Sequence, residues 1–280
     1  SLVSLSTTLA TNAVVNSNGG RVGLILIGFS KSILDNLELK KSINQGFVKL
    51  IKGGHNADGK EINPLDTKAI KSIMNNELAN VDSIAITSQF SVRNNDHEIK
   101  TRNLIREYYN IPITCSYELT SNLNGPKRAL TCVLNASLTG IIEELIKDVS
   151  EMIKSNNMAA KLMVVKGDGS LINIEVARLK PVETIMSGPA AASIGGLWLS
   201  KVKKALVVDI GGTTTDISLV ESGAPSLSID GAEISGWKTM VESLSIETLG
   251  LGGDSEITID NSSNTQRLLI GPRRIVPLCI

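Results

Sequence analysis

One segment of the sequence carries residue types suited to phosphate chemistry. It runs from Leu206 to Val220 and contains the string Asp-Ile-Gly-Gly-Thr-Thr-Thr-Asp between two apolar stretches. The apolar run before the string and the alternation after it predict a β-hairpin with a glycine-rich tip. Glycines let backbone N–H groups approach a phosphate, and consecutive N–H groups in a turn form a concave anion-binding surface. The segment therefore predicts a phosphate-binding hairpin, and the alternative is an ordinary hairpin tip.

Two aspartates flank this tip. Asp209 ends the first predicted strand, where it suits a Mg²⁺ ion, because Mg²⁺ keeps several waters and takes only one or two carboxylates. Asp216 begins the second strand, and two interpretations stay open: a second acidic group near the metal or water, or a cap of the turn. The threonine hydroxyls between them add hydrogen-bond donors.

The elements that must position the hairpin follow an α/β pattern. From residue 20 to about residue 165, short apolar runs alternate with longer periodic stretches, which is typical of strands joined by helices. Pro126 to Lys154 has apolar residues spaced by three and four, which predicts a long helix with one buried stripe. The predicted strands cover residues 22–28, 47–51, 83–87, 111–117 and 162–165, and the other predicted helices lie near residues 32–39, 66–78 and 94–109.

The pattern changes around residue 161, and a second unit with more glycine begins after Pro181. Ser187 to Gly196 predicts a turn and a helix of small residues, with Pro189 at its first position, and short strands follow, among them one at 226–229. We therefore predict two domains: residues 1–186 as part of an N-terminal α/β lobe, and residues 187–280 as the start of a C-terminal nucleotide-binding lobe.

Composition excludes several classes of function. The 280 residues are 42% hydrophobic, with 28 basic and 28 acidic side chains, so nucleic acid is not expected as the main partner. No apolar run reaches the ~18 residues that a membrane span needs, and the N-terminus has no signal-peptide pattern, so we expect no membrane and a cytoplasmic location.

The cysteines and histidines do not form a metal-binding or disulfide pattern. Cys115, Cys132 and Cys279 lack a Cys-x-x-Cys spacing, and we expect them to be small core residues. His55 lies in a polar loop and His97 near the start of a predicted helix, and both are expected at the surface.

The hairpin string resembles the second phosphate-binding hairpin of the actin-like ATPase fold, a two-lobed ribonuclease H-like α/β fold. Further strings that begin at Ser6, Gly20, Gly167 and Ser187 occur in the order and approximate spacing of the hydantoinase/oxoprolinase family. This resemblance implies ATP-dependent hydrolysis of a cyclic amide, such as 5-oxoproline or a hydantoin, with phosphorylation of the amide oxygen making it a leaving group. A small-metabolite kinase and a non-enzymatic nucleotide-dependent switch or scaffold are the alternatives.

The resemblance also implies roles for individual residues. Asp209 would orient a hydrated Mg²⁺ and, with Asp216, form the catalytic pair; Ser187 to Gly196 would form the helix that links the lobes. A later glycine-rich turn, 250–255, would come near the nucleotide, although a plain strand-to-helix turn also fits it. The early threonine-rich string, with Thr7, Thr8, Thr11 and Asn12, would face the substrate cleft or cap a helix. The residues implied to contact ATP are Gly211, Gly212, Thr213, Thr214, Gly252 and Gly253.

The sequence also departs from the family pattern. The fold normally has a first Asp-x-Gly-Gly-Thr hairpin at its N-terminus, and this chain has one copy of that pattern only, in the segment around Asp209. We therefore expect a fragment of a longer protein that is inactive alone. The expected partners are a small cyclic amide and a hydantoinase B-type subunit, and an oligomer is expected.

Overall fold

The computed structural model describes residues 2–35, 37–43, 45–228, 230–234, 236–260 and 267–276. Its α-helices are α1 (Leu9–Val15), α2 (Leu37–Ser42), α3 (Thr67–Asn76), α4 (Asp96–Arg106), α5 (Gly125–Ser155), α6 (Ile174–Leu179) and α7 (Ser187–Ser200). The first seven strands are β1 (Leu2–Leu5), β2 (Val22–Ile27), β3 (Phe47–Ile51), β4 (Ser83–Ser88), β5 (Ile113–Cys115), β6 (Lys161–Val165) and β7 (Leu171–Asn173). The others are β8 (Ala205–Ile210), β9 (Thr215–Glu221), β10 (Ala224–Pro225), β11 (Glu233–Ile234), β12 (Trp237–Lys238), β13 (Ile246–Leu249), β14 (Ser255–Asp260) and β15 (Arg267–Arg274).

A parallel sheet forms the centre of the N-terminal half. Its strand order is β3-β2-β4-β5, and all neighbouring pairs are parallel. Strand β2 is buried along its whole length, because Leu24 and Leu26 enter one hydrophobic core while Ile25 and Ile27 enter a second core on the other face. A strand covered on both faces reads as a continuous apolar run, which is why the sequence predicts it well.

Helix α5 is the main core helix. Asn124 caps it by accepting a hydrogen bond from the Lys127 N–H at 3.1 Å, and the helix extends over 31 residues, one more at each end than predicted. By length and composition alone it is apolar enough to cross a membrane, contrary to the expectation from the sequence. However, 61% of its most apolar window is buried inside the fold, which is the position of a core helix.

A smaller sheet joins the start of the chain to its middle. Strand β1 pairs in parallel with β6, and β6 pairs antiparallel with β7. The early threonine string then contacts the start of α7: Thr11 Oγ1 accepts from the Met186 N–H at 3.0 Å, and Ser187 Oγ donates to the Thr7 carbonyl at 2.9 Å. These threonines therefore anchor the segment that precedes the second predicted lobe.

The rest of the chain is rich in strands, as predicted. Strand β9 pairs antiparallel with β8, with β13 and with the short β10, and β14 pairs with β15. Ile234 and Val241 nevertheless enter the core cluster of the N-terminal half, and Thr131 Oγ1 on α5 accepts from the Met240 N–H at 2.9 Å. The segment around residues 230–244 thus packs on the first predicted lobe, and the division at residue 187 stays a prediction.

Three local predictions are corrected. Helix α7 begins at Ser187 rather than Pro189, because Met186 adopts a left-handed conformation (φ 61°) and ends the preceding turn. The helix predicted near 32–39 is a 3₁₀ turn at Lys31–Asp35 followed by α2. The strand predicted at 226–229 is a single bridge between Leu227 and Leu244; position 229, like Cys279, lies outside the described residues.

Candidate functional site

The predicted hairpin is present with the predicted residues at its tip. Strands β8 and β9 pair in register from Ala205 opposite Val220 to Ile210 opposite Thr215. The Gly211 N–H donates to the Thr214 carbonyl at 2.9 Å, which closes the turn. The amide of Gly211 is therefore used inside the hairpin.

The remaining three amides of the tip are available to a ligand. The N–H groups of Gly212, Thr213 and Thr214 have no hydrogen-bond partner within the described part of the chain. Gly212 and Thr213 are exposed, and Thr214 is half-buried. Three consecutive unpaired N–H groups at one exposed turn form the kind of concavity that binds anions such as phosphate.

A row of polar side chains crosses the sheet beside this tip. Asp209 on β8 is directly opposite Asp216 on β9, and Asp216 is in turn opposite Thr248 on β13. Directly paired residues of an antiparallel sheet share one face, with Cβ atoms about 4.5–5.5 Å apart. Thr248 Oγ1 donates to Asp216 Oδ1 at 2.5 Å, so a hydroxyl holds one carboxylate of the pair.

The later glycine-rich turn, residues 250–255, contacts the hairpin tip. The Gly253 N–H donates to the Gly211 carbonyl at 2.9 Å, and the Asp254 N–H donates to the Gly212 carbonyl at 2.8 Å. A Cβ on Gly252 would lie 2.5 Å from the Gly212 carbonyl oxygen, so only glycine fits there. This turn connects strand β13 to strand β14, rather than a strand to a helix.

The amides of this second turn are used internally. The Gly252 N–H donates to Ser255 Oγ at 3.0 Å, and the Gly253 N–H is bound to the hairpin. Thr215 Oγ1 adds a bond to the Leu251 carbonyl at 2.7 Å. Gly252 and Gly253 therefore pack against the hairpin tip and contact its Gly211 and Gly212 carbonyl groups.

A charged pair that sequence reasoning did not assign lies at the same place. Asp254 Oδ2 would be 3.0 Å from a Cβ on Gly212, and it accepts from Arg274 Nη2 at 2.7 Å. The sequence offered a local indication for Asp254, since this residue directly follows the glycines of the second turn. Arg274 had none, because the β14–β15 pairing brings it there from 20 residues further along the chain.

Helix α7 supports the hairpin on one face. Ser193 Oγ and Ser218 Oγ are 2.7 Å apart, and a Cβ on Gly196 would contact Val207 at 3.2 Å. Small residues on α7 thus let the helix lie close to β8 and β9. Because side chains alternate along a strand, Val207 and Asp209 share this face.

The two histidines are buried, contrary to the expectation that both lie at the surface. His55 and His97 are each 1% exposed, and their ring centroids are 4.4 Å apart. His97 Nδ1 accepts from the Gly54 N–H at 2.9 Å, while His97 Nε2 is 3.6 Å from Glu61 Oε1. Burial lowers the pKa of both histidines. The loop after β3 folds back onto the start of α4, a long-range contact with no local sequence signal.

The cysteines agree with their prediction as core residues. Cys115 and Cys132 are buried free thiols, and burial raises the pKa of both well above the ordinary range. Burial disfavours the thiolate, which is the nucleophilic form of cysteine, so both residues fit a packing role.

A separate cavity of about 440 Å³ lies against residues 117–122, the end of β6 and residues 240–242. Its lining includes Lys166, which is paired with Asp168 at 3.0 Å and with Glu183 at 3.3 Å. Within the described part of the chain, its lining includes no residue of the hairpin tip or of the turn at residues 250–255. The cavity is therefore distinct from the hairpin tip.

The residues at the tip fit a magnesium–nucleotide group. The three free amides suit a phosphate, and the adjacent Asp209 and Asp216 suit a cation, because two carboxylates directly opposite each other repel without one. Within the described ranges no group of three or more His, Cys, Asp or Glu side chains is arranged to hold a metal ion. A site with two carboxylates matches Mg²⁺, which completes its coordination with water and phosphate oxygens.

Comparison with known proteins gives a consistent result. The hydantoinase/oxoprolinase family model matches residues 128–278, and the model of the hydantoinase/oxoprolinase N-terminal region matches residues 1–109. The chain is 28% identical over 95% of its length to caprolactamase subunit alpha of Pseudomonas jessenii, of which it covers 41%. It is 22% identical over 97% of its length to the acetophenone carboxylase gamma subunit of Aromatoleum aromaticum, again covering 41%.

Solved structures agree with this α/β fold. The crystal structure of ATP-dependent caprolactamase from Pseudomonas jessenii matches 98% of this chain with a TM-score of 0.78 and 26% identity. The match covers 42% of the caprolactamase chain. A nucleotide-free structure of acetone carboxylase also matches with a TM-score of 0.78, at 19% identity. This match covers 98% of this chain and 42% of the acetone carboxylase chain. The chain thus spans about two fifths of the length of these relatives. The chain belongs to the hydantoinase/oxoprolinase family.

Proposed function

We propose that the chain provides the phosphate-binding hairpin of an enzyme, or of an enzyme subunit, that couples ATP hydrolysis to the opening of a cyclic amide. The observation that carries the proposal is the tip itself: three unpaired consecutive amides beside two directly opposed aspartates. Membership of the family supports the chemistry, and a relative named caprolactamase supports a cyclic amide as the substrate class. We further propose that the fold is that of the actin-like ATPases, with this tip as their second phosphate hairpin.

In this proposal each residue of the site has a distinct task. The amides of Gly212, Thr213 and Thr214 bind the β- and γ-phosphates, whereas Gly211 closes the turn. Asp209 holds the hydrated Mg²⁺, and Asp216, oriented by Thr248, lies within reach of the same ion or of its water. Gly252 and Gly253 shape the cradle from behind. Bound MgATP would supply the phosphoryl group that activates the amide oxygen, while the protein contributes position and charge.

A second candidate reaction is ATP-dependent carboxylation of a ketone. It is favoured by the similarity to the acetophenone carboxylase gamma subunit over 97% of the chain. Both relatives that are compared above are named as subunits, which supports a hydantoinase B-type partner and a larger assembly for this chain as well. The cytoplasm remains the proposed location.

The test is ATP hydrolysis by the complete gene product with Mg²⁺, alone and together with any partner subunit encoded with it. The panel contains 5-oxoproline, hydantoin and caprolactam as cyclic amides, acetophenone with bicarbonate as a carboxylation substrate, and glucose as a kinase substrate. We expect stimulation by a cyclic amide. Stimulation by the ketone and bicarbonate alone would favour the second reaction, and stimulation by glucose alone would assign the protein to the kinases. ATP turnover that only a protein partner changes would favour a switch or scaffold.

A further inference from the structure

Arg274 is held over the phosphate turn by Asp254. The guanidinium Nη2 is 2.7 Å from Asp254 Oδ2, and this same oxygen lies against Gly212. Arg274 is 54% exposed and Asp254 is 21% exposed, so the aspartate is largely enclosed while the arginine faces solvent. The cation is thus one hydrogen bond from the turn.

Backbone contacts fix both ends of this pair. The Asp254 N–H donates to the Gly212 carbonyl at 2.8 Å, and the Ile275 N–H donates to the Asp254 carbonyl at 2.8 Å. Asp254 is therefore part of the turn pair, and Arg274 is fixed next to it by the hydrogen bond that the following residue makes. A flexible side chain loses less entropy on binding when it is already held in place.

The carboxylates at the turn, together with a bound polyphosphate, would carry an excess of negative charge that favours a cation. Asp209, Asp216 and Asp254 place three carboxylates around amides that would receive a polyphosphate. One divalent ion shared by Asp209 and Asp216 does not neutralise both the carboxylates and the phosphates. Arg274 brings a further positive charge, and its guanidinium has five N–H donors, of which the bond to Asp254 uses one.

We propose that Arg274 is a nucleotide-binding residue that contacts the β- or γ-phosphate, and that Asp254 is the positioning residue that aims it at the Gly212–Thr214 turn. This inference rests on the proposed function, because it assumes that the turn binds a nucleotide. It adds a charged clamp from the β14–β15 hairpin to a cradle otherwise made of backbone amides.

The test is binding of MgATP to the complete gene product that contains this chain, monitored by the chemical shifts of the Gly212–Thr214 amides in ¹H–¹⁵N spectra. We expect Arg274→Gln to weaken binding about tenfold or more, because a charge-assisted contact to phosphate is lost. Arg274→Lys keeps the positive charge but loses the forked guanidinium group, so its affinity for MgATP should lie between those of wild type and Arg274→Gln. The matched control is Arg273→Gln, since Arg273 is 78% exposed and pairs with Glu256 at 3.6 Å rather than with Asp254. Thermal midpoints of all variants show whether they fold.

A double-mutant cycle tests the role of Asp254. Asp254→Asn should weaken binding less than Arg274→Gln does, and it should have little further effect once Arg274 is replaced, because its role acts through the arginine. Fully additive effects, or tighter binding in Asp254→Asn, would overturn the positioning role. Equal affinity in Arg274→Gln and Arg273→Gln would overturn the clamp and leave the proposed function standing. If the wild-type amides do not respond to MgATP, the proposed function fails at this turn and the clamp fails with it.

Discussion

Asp209 and Asp216 are directly opposite each other on the β8–β9 hairpin, one residue pair before Ile210 and Thr215 end the pairing, and Thr248 donates a hydrogen bond to Asp216 from the third strand. Two like charges in this arrangement cost about 0.2–1 kcal/mol of stability without a counterion. A sheet that holds such a pair next to free backbone amides is arranged for a cation and an anion together.

The first prediction concerns magnesium. In EDTA, Asp209→Asn should raise the unfolding free energy by a few tenths of a kcal/mol, because it removes repulsion. Wild type should gain about 1.4 kcal/mol in Mg²⁺ at ten times the dissociation constant, and the variant should gain little. Thermal unfolding with and without Mg²⁺ measures both effects. In the complete enzyme the same variant should abolish Mg²⁺-dependent ATP turnover while the fold stays intact.

The matched control for this prediction is Glu221→Gln, which removes one carboxylate from the far end of β9. It should retain the full stabilisation by Mg²⁺. A wild-type response to Mg²⁺ in Asp209→Asn, or wild-type ATP turnover, would remove this aspartate from the site.

The second prediction concerns Thr248. Thr248→Val removes the hydroxyl that orients Asp216 but keeps the β-branched shape that suits a strand. The affinity for Mg²⁺ should fall severalfold, with a small effect on stability because the position is exposed. Thr248→Ser restores a hydroxyl and should recover most of the affinity. Titration of Mg²⁺ by calorimetry distinguishes the two variants, and equal affinities would show that the hydrogen bond is not used.

The third prediction concerns the contact between the two glycine-rich turns. Gly252→Ala places a Cβ 2.5 Å from the Gly212 carbonyl oxygen and 2.7 Å from that of Gly211, and both are backbone atoms that cannot move independently. We expect a loss of about 1–3 kcal/mol in unfolding free energy and loss of hydrogen-exchange protection at the Gly253 and Asp254 amides.

Gly250→Ala is the control, because a Cβ at Gly250 meets nothing within 4 Å. It should leave both the stability and the protection close to wild type. If the two alanine variants behave alike, the close approach of the turns does not exist in solution.

The sequence predicts the parts of this site that are local. The hairpin, its tip and the position of Asp209 follow from one stretch in which strand residues, glycines and threonines succeed each other. Strand β2 and helix α5 are equally clear, because an unbroken apolar run and a three-to-four spacing persist over their whole length. In each case the neighbours in sequence are also the neighbours that decide the structure.

Contacts between distant segments carry no such signal. The row from Asp209 to Thr248 depends on the pairing of β9 with β13, and Arg274 reaches Asp254 only through the β14–β15 pair. The histidines show the same limit, since the loop containing His55 has the composition of an exposed turn, yet it folds over His97. Such placements depend on how the elements pack.

The last prediction concerns this histidine pair, and its sign follows from burial. Burial lowers the pKa of both His55 and His97. At both histidines the negative charge of Glu61 opposes this shift and the positive charge of Lys100 adds to it. At His55 the charge of Asp96 also opposes it. The unfolded chain binds protons as the pH falls through about 6.5, while the folded chain does not. The unfolding free energy should therefore be highest above about pH 6.5. Below that pH it should fall by up to about 1.4 kcal/mol per pH unit for each histidine, until the histidines of the folded state are also protonated.

These are the two histidines of the sequence, so their contribution can be isolated by replacement. His55→Phe keeps a ring against His97 but cannot titrate, and its stability should depend less on pH between 7 and 5 than that of wild type. Buried Glu98 acts in the opposite direction, since burial raises its pKa, and comparison with the variant cancels this contribution. Denaturant unfolding at several pH values measures the slopes, and histidine NMR titrations give the folded-state pKa values. Equal slopes in the two proteins, or histidines that titrate near 6.5 in the folded state, would contradict the buried pair.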